Sequence, residues 1–406
     1  MKIALFVPSW PPGASPNGIV TYASQLVPAL RQLGHEVFVL TSHKGDGDKD
    51  PYTIVLRNFF SARNLWGRAM FRLAPAVGAF NAASYSISTG IDELVHKHQL
   101  DVLEIEESFG WSYAVSRLNV LPVVVRLHGP WFLTGGFADP GDRIELHRHR
   151  REREGRGIQS AHLVTAPSAK VLQSVKDRYG LNLVGTRVIP NPLDAAEEEK
   201  TWNIDTCDNN SLLFVGRFDK LKGGDLVLRA FGELAMSYPK LKLTFVGPDG
   251  GLVGENNKIW SFEQFVRNNV SEQCQSRIVF RGQLDHSDVM SLRVESFLTI
   301  VASRHEMMPY SVLEAMSLGC PLVVTDVGGI PELIEDQRNG LLVPSQDLKA
   351  MTDACRKLLE DHALAVRIGR QAWYDCRKFH GSENIARQTV AAYQAAIAGF
   401  KPRSVI

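Results

Sequence analysis

Apolar positions along the chain follow two rhythms, and the two alternate. Short unbroken runs such as KIALFV at 2–7 have no polar face, which is the pattern of a strand buried on both sides. A loop with Pro and Gly follows and ends at Asn17-Gly18. After it, Val20, Ala23, Val27 and Leu30 recur at helical spacing. Pro28 is expected to bend this helix and Gly34 to end it. EVFVLT at 36–41 is the next strand and completes a βαβ unit. From residue 211 the same order begins again: SLLFVG, the loop RFDKLKGG, the helical DLVLRAFGELAMSY, then LKLTFVG. RIVFRG, FLTIVAS, a helix at 310–318 and PLVVTD continue it. Such alternation predicts parallel sheets with helices on both faces. The expected fold is therefore α/β, two Rossmann-like, doubly wound domains.

The halves meet at IPNPLDAAEEEKTWN, 189–203, whose two prolines and acidic run read as a linker. This sets an N-terminal domain at 1–190 and a C-terminal domain at 204–378. The last helix, 381–399, opens on Ser382 and Glu383, a good cap, and is free to cross back to the first domain. Two doubly wound domains joined in this way are expected to face a central cleft, with ligands beyond the carboxyl ends of the strands.

Composition narrows the function classes. Of the 406 residues, 44% are apolar, enough for real cores and too many for a disordered chain. The net charge of +1 gives no field that draws nucleic acid. The five cysteines, Cys207, Cys274, Cys320, Cys355 and Cys376, contain no CxxC pair. That suits a reducing compartment and argues against a zinc site. The N-terminal MKIALFVPSWPPG breaks at prolines too early for a signal peptide. No run approaches the roughly 20 apolar residues that span a bilayer. The expectation is a cytoplasmic protein, soluble or peripheral at the inner face of the membrane.

The chemistry concentrates in SRHEMMPYSVLEAMSLGCPLVVTDVGGIPEL, 303–333. A strand leads through RHEMM into a helix with Pro309 at its expected first position. The amides of Tyr310, Ser311 and Val312 then precede any intrahelical acceptor and form an anion site. Glu306 stands at its mouth and Glu314 lies inside the helix. Carboxylates do not bind phosphate, but they accept hydrogen bonds from sugar hydroxyls. Amides for phosphate and carboxylates for hydroxyls describe a nucleotide-sugar pocket. The plainer alternative is two glutamates favoured by the helix dipole alone. Arg217 and Lys222, in the loop VGRFDKLKGG, can clamp a diphosphate or simply be solvated. Gly18 permits close phosphate approach or only makes a turn. His128 follows the strand of PVVVRLHGPW, where cleft residues belong. Glu106 and Glu107 end the strand DVLEI and can reach an acceptor.

These segments resemble the retaining glycosyltransferases of family 4, with the two-domain fold called GT-B. The carriers are HEMMPYSVLEAMSLGCPLVVTDVGGIPE, VGRFDKLKGG, GHEVFVLT, LHG and IPNPLD, and the resemblance spans nearly the whole chain. It implies that Glu306 lies under the donor hexose and Glu314 holds the ribose. Arg217 and Lys222 would bind the diphosphate, with amides from Met308 through Pro309, Tyr310 and Ser311 to Val312. Gly18, beside Asn17, would approach the phosphate from the first domain. His128 would contact the sugar and Leu284 would flank the base. It implies a metal-independent reaction with no cofactor beyond the nucleotide-diphosphate sugar. The sequence departs from the family at Asn17-Gly18, where many relatives show Gly-Gly, at NPLD, 191–194, and at GPDG, 247–250.

The function expected is transfer of a hexosyl unit, from a UDP-sugar by preference, to a saccharide or lipid-linked saccharide, in bacterial surface polysaccharide or exopolysaccharide synthesis. The alternatives are a GDP-mannose-dependent mannosyltransferase and a nucleotide-sugar epimerase on the same fold. No nucleic-acid partner is expected. At 57–80, Trp66, Met70, Leu73, Val77 and Phe80 recur at helical spacing near Arg63, Arg68 and Arg72. This can rest on an anionic membrane or pack into a core.

Overall fold

In a computed structural model of the chain, residues 1–12, 17–45, 47–56, 75–133, 144–183, 185–253 and 258–401 are described, with backbone alone at 75–83 and 144–146. They form two units, Met1–Pro192 with Ser382–Ile406, and Leu193–Gly381.

The described residues of the first unit form seven strands: β1 (Lys2–Val7), β2 (Glu36–Thr41), β3 (Thr53–Val55), β4 (Val102–Glu106), β5 (Val123–Arg126), β6 (Leu163–Ala166) and β7 (Arg187–Val188). They lie in the order β3-β2-β1-β4-β5-β6-β7, and every pairing is parallel. β1, β4, β5 and β6 are buried almost throughout; the apolar run of β1 fits a strand covered on both faces, whereas β4 and β5 bury Glu104, Glu106 and Arg126 as well. Between the strands run α1 (Gly18–Gln32), α2 (Pro75–His98), α3 (Trp111–Leu118), α4 (Ile144–Gln159) and α5 (Ala169–Tyr179). Helix α1 continues through Pro28, which lies on its exposed side. The amide that proline lacks is thus missing where water faces the helix. Gly34 takes the left-handed φ of 82° just past the end.

The second unit repeats the plan with β8 (Asp208–Val215), β9 (Lys242–Val246), the antiparallel pair β10 (Leu252–Val253) and β11 (Ile259–Trp260), β12 (Ile278–Gly282), β13 (Ser296–Val301), β14 (Leu322–Thr325) and β15 (Leu341–Val343). The main sheet runs β12-β9-β8-β13-β14-β15, all parallel. Its helices include α6 (Gly224–Ser237), α7 (Phe262–Asn269), α8 (His286–Glu295), α9 (Tyr310–Ser317), α10 (Leu348–Glu360) and α11 (His362–Phe379). In each sheet the order reverses once, between β1 and β4 and between β8 and β13. Loops leaving a sheet on either side of such a reversal diverge and leave a crevice.

The stretch expected to be a linker is packed rather than loose. Arg126, fully buried, donates from Nη1 to the Ile189 carbonyl at 2.7 Å and from Nη2 to Asn191 Oδ1 at 2.8 Å. From Leu193 onward the chain is tied to the second unit, through Ala196 N to the Ser317 carbonyl and Trp202 N to the Leu318 carbonyl. The C-terminal helix, Ser382–Gly399, packs in the first unit against α1. There Tyr393 donates to Glu104 Oε2 and Tyr22 to Glu104 Oε1, each at 3.0 Å. All five cysteines are buried and free. No helix among the described residues is long and apolar enough to cross a membrane. Residues 57–74 and the side chains of 75–80 lie outside the description, so the segment expected at a membrane surface has no structural account.

Candidate active site

In the second unit the reversal places the loop after β8 beside the loop after β13. Lys222 comes from the first and Glu306 from the second, and Lys222 Nζ lies 2.5 Å from Glu306 Oε1. Ser303 donates to the same oxygen at 2.7 Å. Glu306 is 9% exposed, so its charge is largely withdrawn from water, and the ammonium and hydroxyl compensate for that. The two loops are stapled by Arg304. Its guanidinium grips both oxygens of Asp225, at 2.8 and 2.7 Å, and the Lys220 carbonyl at 2.6 Å. Its amide donates to the Leu221 carbonyl at 2.8 Å. Beneath Glu306 runs Gly328, with φ 54°; a Cβ there would lie 1.5 Å from the Glu306 carbonyl oxygen. Only glycine fits both that backbone and that approach.

Arg217 opens the same loop and is about half exposed. Its Nε is hydrogen-bonded to Asp219 Oδ2, while Asp219 Oδ1 accepts from the Lys222 amide at 2.8 Å. Asp219 thus holds both cations on one turn. An anion arriving here would share Arg217 with that carboxylate.

Helix α9 begins one residue later than expected. Pro309 is its N-cap, with φ −75° and ψ 132°, because the proline's fixed φ suits the extended entry as well as the first turn. The expected anion site is also smaller. The Val312 amide donates to the Pro309 carbonyl at 3.2 Å, a tight first turn that removes it from the set. Val312, Met308 and Pro309 are buried, while Tyr310 and Ser311 are half-buried. Glu314 lies further along the helix. Its Oε2 accepts from Arg293 Nη2 at 2.9 Å, and its Oε1 is 3.7 Å from His286 Nδ1. Arg293, on α8, is completely buried, and its Nε and Nη1 have no hydrogen-bond partner among the described residues. Leu284 precedes α8 and packs against Leu213, Val246 and Val289. Arg293 is absent from the sequence-based set. The available signal was its spacing, four residues after Val289 and one after Leu292, which puts an arginine on an apolar helix face.

In the first unit, Asn17 is committed as a cap: its Oδ1 accepts from the Ile19 amide at 2.9 Å. Gly18 is the first residue of α1, and a Cβ there would meet nothing within 4 Å. His128 sits after β5 with Tyr22 edge-on at 4.9 Å. Burial, reinforced by the Arg126 charge, holds its imidazole well below the usual range, so it is neutral at pH 7. Glu107 corrects an expectation. It is fully buried, and its two oxygens accept from the His128 amide at 2.9 Å and the Gly129 amide at 2.6 Å. It shapes the His128 turn rather than reaching an acceptor. Its neighbour Glu106 keeps its proton up to about pH 8, through burial first and the Glu107 charge second.

Two family models match consecutive parts of the chain. "Glycosyltransferase Family 4" matches residues 16–197 and "Glycosyl transferases group 1" matches residues 196–373. The chain belongs to glycosyltransferase family 4. It is 24% identical over 417 aligned residues to a glycogen synthase of Mycobacterium tuberculosis, covering 98% of this chain and 96% of that one. In fold it is similar to a sucrose-phosphate synthase from Thermosynechococcus elongatus, with TM-score 0.75 and 21% identity over 98% and 99% of the two chains. It is also similar to Anabaena HepE in complex with UDP-glucose, with TM-score 0.64 and 17% identity over 97% and 100%. Two Rossmann-like parallel-sheet units of this kind make up the GT-B fold of this glycosyltransferase.

Proposed function

We propose that this glycosyltransferase moves a hexosyl unit from a nucleotide-diphosphate sugar, a UDP-sugar by preference, to a saccharide or lipid-linked saccharide, with retention at the anomeric carbon and no resident metal. The observation that carries the reading is the Lys222–Glu306 pair with Arg217 on the adjoining turn, at the strand-order reversal of the second unit. HepE binding UDP-glucose supports the base and the hexose.

In this reading Glu314, steadied by Arg293, accepts hydrogen bonds from the ribose hydroxyls. Glu306 accepts them from the hexose. The costly event is heterolysis between the anomeric carbon and the phosphate, which puts negative charge on the departing diphosphate. Arg217, Lys222 and the amides opening α9 stand where that charge forms and need little reorganisation to stabilise it. The acceptor hydroxyl attacks from the face the nucleotide leaves and passes its proton to a phosphate oxygen. Neutral His128 can hydrogen-bond a sugar hydroxyl without adding charge.

A thermal-shift panel of UDP, GDP, ADP and their sugar conjugates tests the reading, since a ligand bound to the native state raises its stability. One base is expected to raise the Tm and its sugar conjugate to raise it further. The anomeric proton coupling of the product reports retention. No shift with any nucleotide, in wild type at saturating concentration, overturns the pocket.

A further inference from the structure

We propose that Tyr393, on the C-terminal helix, positions His128 through Glu104 and Tyr22, so that the last helix of the chain sets the imidazole that meets the transferred sugar. The part that concerns the sugar rests on the transfer reading above.

The chain of contacts starts at a buried carboxylate. Glu104 lies in the middle of β4 and is 4% exposed. A carboxylate there is tolerable only when its oxygens have partners. Oε1 accepts from Tyr22, on α1, and Oε2 accepts from Tyr393, 289 residues away in the chain, each at 3.0 Å. Both tyrosines are buried. Burial and the Glu104 charge hold the Tyr393 phenol well above its ordinary range, so it remains a donor at neutral pH. The terminal torsion of a glutamate is broad. A carboxylate bonded through one oxygen can turn about it, and one bonded through both cannot.

The Tyr22 ring carries this constraint to His128. Its hydroxyl end is fixed by Glu104. Arg126 Cζ lies 4.8 Å from its centroid, and Arg126 is itself tied to the Ile189 carbonyl and Asn191. The His128 ring meets Tyr22 edge-on, with centroids 4.9 Å apart and planes at 72°. The His128 amide is bonded to Glu107, whereas its imidazole has no hydrogen bond to another described residue. The direction of the imidazole therefore depends on what it packs against, and Tyr22 is the tethered surface there.

A small cavity lined by Phe6, Ile19, Tyr22, Glu104, Glu106 and His128 adjoins both rings. Close packing alone does not lock rings beside a void, so the hydroxyl tether decides where Tyr22 sits. A contact that served only to dock the last helix would need no carboxylate at its end. An apolar pair would dock it without the cost of burying a charge.

The test uses the full chain with isotope-labelled histidine rings, and His128→Asn identifies the His128 signal by its loss. In Tyr393→Phe, which removes only the hydroxyl, that signal is expected to shift or broaden while those of His305 and His380 stay. UDP and UDP-glucose are then titrated calorimetrically into wild type, Tyr393→Phe and Tyr22→Phe. The gain in affinity from UDP to UDP-glucose should shrink about threefold or more in each variant, the worth of one misaligned hydrogen bond. Affinity for UDP itself should not change, which also shows that the variants fold. In a His128→Asn background, Tyr393→Phe should cost nothing further. An unmoved His128 signal overturns the proposal. So does a wild-type gain that survives undiminished, or equal losses for UDP and UDP-glucose, which a tyrosine of purely structural value would give. A loss that persists in the His128→Asn background overturns it as well. A His128 signal that moves, in a protein whose wild type binds UDP-glucose no better than UDP, faults the transfer reading instead.

Discussion

Lys222 Nζ and Glu306 Oε1 are 2.5 Å apart although 84 residues separate them. The ion pair exists because β8 and β13 are neighbours while their following loops leave the sheet toward opposite crossovers. Most of Glu306 is out of water, so each partner makes the other tolerable there.

Replacing Lys222 by Met is therefore expected to lower both stability and turnover. The partly exposed lysine limits the stability loss to about 1–3 kcal/mol, whereas turnover should fall at least about 100-fold. Glu306→Gln added to Lys222→Met should recover much of the stability and none of the turnover. Urea unfolding alongside initial rates checks this; additive stability losses would contradict the pair.

Gly328→Ala is expected to destabilise the second unit by at least about 2 kcal/mol and to weaken nucleotide binding. The added methyl cannot coexist with the Glu306 carbonyl, nor with the left-handed backbone. A midpoint in urea within error of wild type would rule out this packing.

Arg293→Met leaves the Glu314 carboxylate without its buried cation. The expected result is about tenfold or greater loss of UDP affinity by calorimetry. Arg293→Lys should restore stability better than affinity, because an ammonium cannot reproduce the planar orientation that Nη2 gives Glu314. Equal UDP affinity in all three proteins would count against the orienting role.

Glu106 links stability to pH. In an unfolded chain it ionises near 4.5, in the folded protein at about 8. Between these values the folded state binds one proton more, so this group's contribution falls as pH rises through the window. Glu106→Gln removes that dependence. The Tm of the variant minus that of wild type should climb from pH 5 to pH 9, with an underlying change on the order of a few kcal/mol. A flat difference would show that the carboxyl ionises normally.

Burial pushes the thiols of Cys320, Cys355 and Cys376 up to about 12 and that of Cys207 to about 11. Native protein is expected to react with no more than a trace of a thiol-specific disulfide reagent over minutes, and to release five equivalents in denaturant. Rapid labelling of the native chain would refute this burial.

Much of the fold was legible because its signals are local. KIALFV and EVFVLT show by composition that both faces of a strand are covered, and they coincide with β1 and β2. Gly34 marks the end of α1 because left-handed backbone at a helix terminus favours glycine whatever surrounds it. The glutamates and cations of HEMMPYSVLE and GRFDKLKGG pointed to one chemistry because their residue types suit one ligand. Pro28 was less legible: whether a proline bends a helix depends on which side faces water. The same is true of Val312, whose amide the tight first turn takes up.

What the sequence by itself determined is the alternation of strand and helix, the two-unit plan and the kinds of side chain gathered in the loops after β8 and β13. Those follow from side-chain periodicity and chemistry within a few residues. What only the tertiary structure decided is which charges meet and which disappear from water. Arg126 and Glu107 look in the sequence like any solvated charge. Their burial and their partners come from elements tens of residues away. Ion-pair geometry and desolvation depend on distances between such elements, and no local pattern encodes those.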